Sequence, residues 1–247
     1  TCQRGIALLA TLSVIAVLVP VTLELNRYMR TTTTSAASAR DRLALSQMAE
    51  SGIHAAMAML IVDKAESEAD SLAEDWADPE KTAQLAAALP FEQGQVRIRI
   101  LDEKSLIQVN ALVDFPAARE FSESQYQLWD RFLRSLTSND DFYRELDPAM
   151  VINSVKDWLD RADDDATTGL SGAESDFYNT LTPPYSCRNG PIPVIDEMAQ
   201  IRGLNRSYLY GDDKTPGIAD FLTTYGISAD AGSELAYDGR ININTAS

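Results

Sequence analysis

The residues best equipped for chemistry in this chain are acids. Positions 157 to 176 read DWLDRADDDATTGLSGAESD and hold Asp157, Asp160, Asp163, Asp164, Asp165, Glu174 and Asp176, against Lys156 before them and Arg161 among them. Carboxylates packed so closely repel one another unless a cation neutralises them. Gly169 and Gly172 let the backbone fold around an ion and present carbonyl oxygens. Hard oxygen donors on a flexible loop suit calcium; magnesium takes fewer protein ligands in a tighter octahedron. The spacing is not that of an EF-hand, since no central Gly and bidentate Glu fall at its offsets. On the residues alone, a calcium loop and a solvated acidic loop stand level.

Other chemistries find few residues. His54 is the single histidine and lies in Ala-rich helical sequence, where a structural role is expected. A catalytic triad or a His-based metal site would have to borrow it. No nucleophile elbow and no Gly-rich phosphate loop accompany the acids, so reading a pair of them as the acid and base of a hydrolase has no support. No enzyme is expected. The formal net charge of −16 repels nucleic acid, whose capture depends on Lys and Arg at phosphates. Cys2 and Cys187 are the only cysteines, and Cys2 precedes an apolar run. Cys187 is therefore expected as a partly buried free thiol.

The elements that position these groups begin with that run. Ile6 to Leu23 (IALLATLSVIAVLVPVTL) carries no charge over 18 residues, about the length that crosses a bilayer as a helix. A cleavable secretory signal would have a shorter apolar core and a small-residue cleavage site. From Asn26 to about Val62 no strong breaker occurs, and Leu45, Met48, Gly52, Ala56 and Leu60 recur at helical spacing with Ile53 and Met57 beside them. One long helix is predicted over residues 6–62. Lys81 to Leu89 reads as a short helix stopped by Pro90. Gln95 to Leu101 (QVRIRIL) alternates as a strand, with Leu106 to Val109 as its antiparallel partner. Ser122–Leu136, Pro148–Leu159, Ile195–Ile201 and Gly217–Tyr225 then read as helices. Arg240 to Asn244 returns to strand character. Ile107-Gln108-Val109-Asn110-Ala111 and Ile241-Asn242-Ile243-Asn244-Thr245 share the pattern Ile-x-(Val/Ile)-Asn-small, as two strands flanking an insertion would.

An uncharged N-terminal run after Arg4-Gly5, continuing into a long helix and a sheet, resembles the type IV pilins and pseudopilins. The resemblance implies that Gly5 ends a leader cut by a prepilin peptidase and that Ile6 begins the mature chain. Most members carry Glu five residues after the cut; here that position is Ala10. One branch shares the departure, the type II secretion minor pseudopilin K. Trp158-Leu159-Asp160, Gly172-Ala173-Glu174, Tyr178, Pro183-Pro184-Tyr185, Asn189, Glu197, Arg202-Gly203, Leu222-Thr223-Thr224-Tyr225-Gly226 and Ile241-Asn242-Ile243-Asn244-Thr245-Ala246 follow in that family's order.

The resemblance implies an α+β fold: a pilin-like long N-terminal helix packed on a small antiparallel sheet, with a large inserted all-α domain. The expected divisions are a leader remnant at 1–5, the transmembrane and long helix at 6–62, a pilin-like part at 63–109, the helical insertion at 110–238 and a return strand at 239–247, with the fold expected to continue past Ser247. The family also implies calcium, with Asp163, Asp165, Glu174 and Asp176 as ligands and Asp160 and Asn189 as further candidates. It implies minor pseudopilins of the I and J types as partners, an anchor in the inner membrane with the body in the periplasm, and a place at the filament tip. A subunit lacking the usual Glu has no earlier subunit above it to contact. The competing reading is a membrane-anchored helix-hairpin-helix protein that binds DNA, since Asn244-Thr245-Ala246-Ser247 also opens such modules. Its basic, Gly-rich hairpin is absent from this acidic region or lies beyond Ser247.

Overall fold

The computed structural model describes residues 2–116, 118–161, 167–227 and 236–246, with side chains from residue 8 onward. It divides into two units, Thr1–Ala69 with Ala73–Ile100, and Asp70–Leu72 with Leu101–Ser247.

The first unit is built on one helix, α1 (Cys2–Glu66), which runs unbroken for 65 residues with Pro20 inside it. Leu8–Glu66 contains a stretch long and apolar enough to cross a membrane. The threonines, which lose rotamer freedom in a helix, bond back to it. Thr22 Oγ1 donates to the Leu18 carbonyl at 2.8 Å, Thr31 to Tyr28 at 2.8 Å and Thr33 to Met29 at 3.0 Å. Further along, Met48 and Gly52 are buried, while Leu45, Ile53, Met57 and Ile61 form an exposed apolar stripe. Gly52 is required by close approach: a Cβ there would lie 2.8 Å from Val96 Cγ1. The short helix expected at Lys81–Leu89 is α2 (Pro79–Ala87), which starts two residues earlier because Pro79 takes its first position and Asp78 caps the Glu80 N–H.

Residues 95–100 alternate as their sequence predicts, with Val96, Ile98 and Ile100 half-buried and Arg97 and Arg99 exposed. They nevertheless form no strand, because no ladder partner is present among the described residues. The expected partner pairs elsewhere. In the second unit β1 (Ile107–Gln108) pairs with β2 (Leu222–Thr223), in register Ile107 with Leu222 and Gln108 with Thr223. The α+β architecture holds, but this pair is parallel where an antiparallel sheet was expected. An antiparallel neighbour arrives through a hairpin, whereas β2 returns only after the whole helical segment, a crossover that delivers it parallel.

Two amphipathic helices centre the second unit's core. α3 (Glu123–Asn139) buries Trp129 and Leu133, and α4 (Pro148–Leu159) buries Val151, Ile152, Val155, Trp158 and Leu159. Asp147 caps α4 at the Ala149 and Met150 amides, with Pro148 at its first position. α5 (Ser175–Asn179) and α6 (Arg206–Tyr210) are single turns. The helix expected at 195–201 is a 3₁₀ turn, Ile195–Gln200; that expected at 217–225 is a 3₁₀ turn, Ile218–Phe221, followed by β2.

The return strand expected at 239–247 is not formed among the described residues. Asn242 Nδ2 donates to Asp102 Oδ2 at 3.1 Å, Thr245 Oγ1 donates to the same oxygen at 2.7 Å, and the Thr245 N–H closes a turn on the Asn242 carbonyl at 3.2 Å. The side chains of this segment are thus engaged by Asp102, and its backbone turns on itself rather than joining a ladder.

Candidate functional site

The acidic segment leaves the C-terminal end of α4. Lys156 and Asp157, in the last turn, are both buried although both are ionisable. Asp157 is 1% exposed, and its two carboxylate oxygens accept the Thr168 N–H at 3.0 and 3.1 Å. Burial pushes this carboxyl above its ordinary range; the Thr168 bonds, the charge of Lys156 and the Ala173 amide work against the rise. Lys156 Nζ lies 3.2 Å from Asp160 Oδ2 and donates to Thr168 Oγ1 at 2.9 Å. Asp160, the C-cap of α4, is therefore ion-paired within the chain, at the i,i+4 spacing that favours such pairs.

Glu174 is buried at the N-terminal end of α5, and Asp176 is exposed in its first turn. Asn189 has a left-handed backbone, φ 54°, and its Oδ1 is buried without a hydrogen-bond partner among the described residues. Asp163 and Asp165 lie outside the described residues. The segment around Asn189 ties the other pieces together. The Cys187 N–H donates to Ser175 Oγ at 3.1 Å, Cys187 Sγ to the Asp157 carbonyl at 3.3 Å, and the Gly190 N–H to the Trp158 carbonyl at 3.4 Å. So the end of α4, the start of α5 and residues 187–190 converge, bringing the chain at Asp160, Glu174 and Asn189 to one place. Asp176 faces solvent beside them. Every candidate offers a hard oxygen, and an amide carbonyl buried without a donor matches what calcium uses. Asp160, Glu174 and Asn189 carry oxygens of the kind that ion takes.

A second layer holds these segments. Trp158 Nε1 donates to Glu197 Oε1 at 2.9 Å, and Arg188 grips both oxygens of Glu197, with Nη2 2.6 Å from Oε2. Arg202 Nη1 donates to the Gly172 carbonyl at 3.0 Å, while the Arg202 N–H donates to Tyr178 Oη at 3.2 Å. Gly172 has no room for a side chain, since a Cβ would lie 2.1 Å from Asp157 Oδ2. Cys187 is free and buried, and burial first, then the charge of Glu174, pushes its thiol up to about 12. Sequence reasoning placed Trp158, Tyr178, Glu197 and Arg202 in a motif without giving them work. It missed Thr168 and Arg188, and it took Lys156 only as a neighbouring charge; the i,i+4 spacing of Lys156 and Asp160 was the available signal.

At the other end of the chain, Gly5 and Ile6 lie in the first turns of α1 and Ala10 is exposed on it. His54 is exposed on the same helix. The long N-terminal helix carries an apolar segment that fits a single-pass membrane anchor. Residues 105–210 match the family described as Type II secretion system (T2SS), protein K. The chain is similar to type II secretion system protein K of Klebsiella pneumoniae, 25% identical over 214 residues, which cover 82% of this chain and 59% of that protein. The Aeromonas hydrophila protein of the same name is 24% identical over 139 residues, 55% of this chain and 39% of that protein. The chain thus spans less than two thirds of the length of the relatives it matches. Its fold is similar to a chain in the crystal structure of the GspK-GspI-GspJ complex from the enterotoxigenic Escherichia coli type 2 secretion system, with a TM-score of 0.60 and 21% identity over 87% of this chain and 65% of that one.

Proposed function

We propose that this protein is a minor pseudopilin at the tip of the type II secretion pseudopilus, helping to initiate and cap its assembly for protein export across the outer membrane. The observation that carries the reading is the protein K match over residues 105–210 in the same chain as an unbroken apolar α1. Before assembly α1 anchors the subunit in the inner membrane, with the body in the periplasm, after a prepilin peptidase has cut between Gly5 and Ile6. After assembly its exposed stripe of Leu45, Ile53, Met57 and Ile61 packs against sibling helices. Ala10, standing where most pilins carry Glu, suits a subunit with nothing above it to contact. Minor pseudopilins of the I and J types are its partners; the structure similar to this one is of a complex with both.

Calcium belongs to the same reading. Asp163, Asp165, Glu174 and Asp176, with Asp160 and Asn189 as further donors, would hold it, and it would neutralise an otherwise self-repelling segment. The orphaned Asn189 oxygen supports this. Nucleic-acid binding, the rival reading, has no observation in its favour.

The test is co-purification of the full chain from membranes with I- and J-type minor pseudopilins. Recovery of a stable complex is expected. A chain that ignores both and polymerises alone into long filaments refutes the tip assignment. For the ion, chelation should lower the melting temperature; an unchanged curve with no calcium by elemental analysis removes it.

A further inference from the structure

We propose that Arg27 and Arg30, with Tyr28 between them, form a collar on α1 that binds the phosphate of anionic phospholipid headgroups and so sets the depth at which the helix sits. The proposal rests on the reading of α1 as a membrane anchor and adds a headgroup site to it.

Leu23 and Leu25 are the last leucines of the apolar segment, and both are exposed. A helix rises about 1.5 Å per residue, so Arg27 stands about 3 Å and Arg30 about 7.5 Å past Leu25. The headgroup layer on each side of a hydrocarbon core is about 5–7 Å deep, so both guanidiniums reach it. Arg40 and Arg42 lie more than about 20 Å past Leu25, clear of that layer. Tyr28 is exposed at the same level as Arg27 and Arg30, with the apolar ring and polar tip that suit a membrane interface.

The local chemistry leaves these two guanidiniums for an outside acceptor. Both side chains are exposed. Arg40 pairs with Asp41 at 2.9 Å, but among the described residues neither Arg27 nor Arg30 is in an ion pair, although Glu24 stands one turn before Arg27. The nearby carbonyls are taken by threonines. Thr31 Oγ1 donates to the Arg27 and Tyr28 carbonyls at 3.2 and 2.8 Å, Thr32 Oγ1 to Tyr28 at 2.9 Å, and Thr33 Oγ1 to Met29 and Arg30 at 3.0 Å each. Those bonds also spend the hydroxyl protons, so the arginines are the charged donors this stretch presents outward. A shallow groove lined by Leu25, Asn26, Met29 and Arg30 runs along one face here. Its apolar side chains precede the cation, in the order in which a lipid presents acyl chain and then phosphate. The planar guanidinium fork meets phosphate oxygens in pairs. With a net charge of −16 the chain as a whole is repelled by an anionic leaflet, so attraction to such lipids has to come from a local collar of this kind.

The test uses the full chain reconstituted in phosphatidylcholine vesicles. Association of spin-labelled phosphatidylglycerol, relative to spin-labelled phosphatidylcholine, is measured by electron spin resonance. A preference for phosphatidylglycerol is expected, weakening as sodium chloride is raised. Arg27→Gln and Arg30→Gln should each lower that association about fivefold, the weight of one arginine at an anionic surface. Arg42→Gln, beyond the headgroup layer, should leave it unchanged. An equal loss in Arg42→Gln overturns the collar, as does a preference unmoved in the Arg27→Gln/Arg30→Gln double variant. Loss of the preference to sodium phosphate but not to sodium chloride at matched ionic strength marks a site for free anions and overturns the headgroup assignment. The anchor is judged separately. A wild-type protein stripped from the vesicles by alkaline carbonate refutes the anchor reading, whereas one retained without lipid preference refutes the collar alone.

Discussion

Asn110 offers the sharpest test of how the second unit is held together. It is 1% exposed, and its side-chain amide acts as a piece of backbone: Nδ2 donates to the Ile192 carbonyl at 3.0 Å, and Oδ1 accepts the Ile192 N–H at 2.7 Å. Ile192 is itself buried. Asn110→Ala removes both bonds and leaves a buried N–H and a buried carbonyl without partners. Each such orphan costs about 1–3 kcal/mol, so the pair costs roughly 2–6 kcal/mol, less what the deleted amide no longer loses on leaving water. A net destabilisation of about 2–4 kcal/mol should lower the melting temperature by roughly 6–15 °C for a unit of this size. The assay is near-ultraviolet circular dichroism of the full chain in micelles. It reads the tertiary packing of Trp129 and Trp158 and is insensitive to helix held by the detergent. Asn110→Asp serves as the companion. It keeps the acceptor for the Ile192 N–H but turns a carboxylate toward the Ile192 carbonyl, so at neutral pH it should be at least as harmful as Ala. Protonation supplies an O–H donor, so its deficit should shrink on acidification. A melting shift under 2 °C for Asn110→Ala, or an Asp variant indifferent to pH, would show that the Asn110–Ile192 bridge does not brace the core.

Three further outcomes are expected. Glu197→Ala should cost about 1–3 kcal/mol by leaving the buried Trp158 Nε1–H without its acceptor; Trp158 fluorescence should shift to the red, and Glu197→Gln should recover most of the loss. Asp238 is held well below the usual carboxylate range by hydrogen bonds from Arg240 and then Lys104. Asp102 is also lowered, because bonds from Thr245, the Lys104 amide and Asn242 outweigh the burial that raises it. A depressed folded value means that the stability these acids supply is present above about pH 4 and fades as pH falls below it. Melting temperature should therefore drop with acidification, more gently in Asp238→Asn. Gly211 sits at φ 67°, with space for a Cβ only 2.1 Å from the Thr215 carbonyl oxygen. Gly211→Ala should cost at least about 1–3 kcal/mol, read by the same melting assay.

The parts of this protein legible in its sequence are those whose cause is local. α1 follows from an uncharged run and the absence of strong breakers to about Val62; α3 and α4 follow from apolar residues at helical spacing, with Asp147-Pro148 marking where α4 starts. The alternation at residues 95–100 correctly foretold which side chains are half-buried and which exposed. The acidic run supplied a list of carboxylates. What the sequence could not decide was partnership between distant segments. Ile107-Gln108 and Ile241-Asn242 look alike, yet β1 pairs with Leu222–Thr223, while Asn242 and Thr245 turn inward to Asp102. The same limit separates Asp157 from its acidic neighbours. Seven acids share one stretch, but only the packed structure buries this one against Thr168 and hands Asp160 to Lys156. Spacing along the chain governs contacts within a helix turn. Pairing of strands and burial of charge are settled by desolvation and by hydrogen bonds that close only when segments far apart in sequence are already packed together.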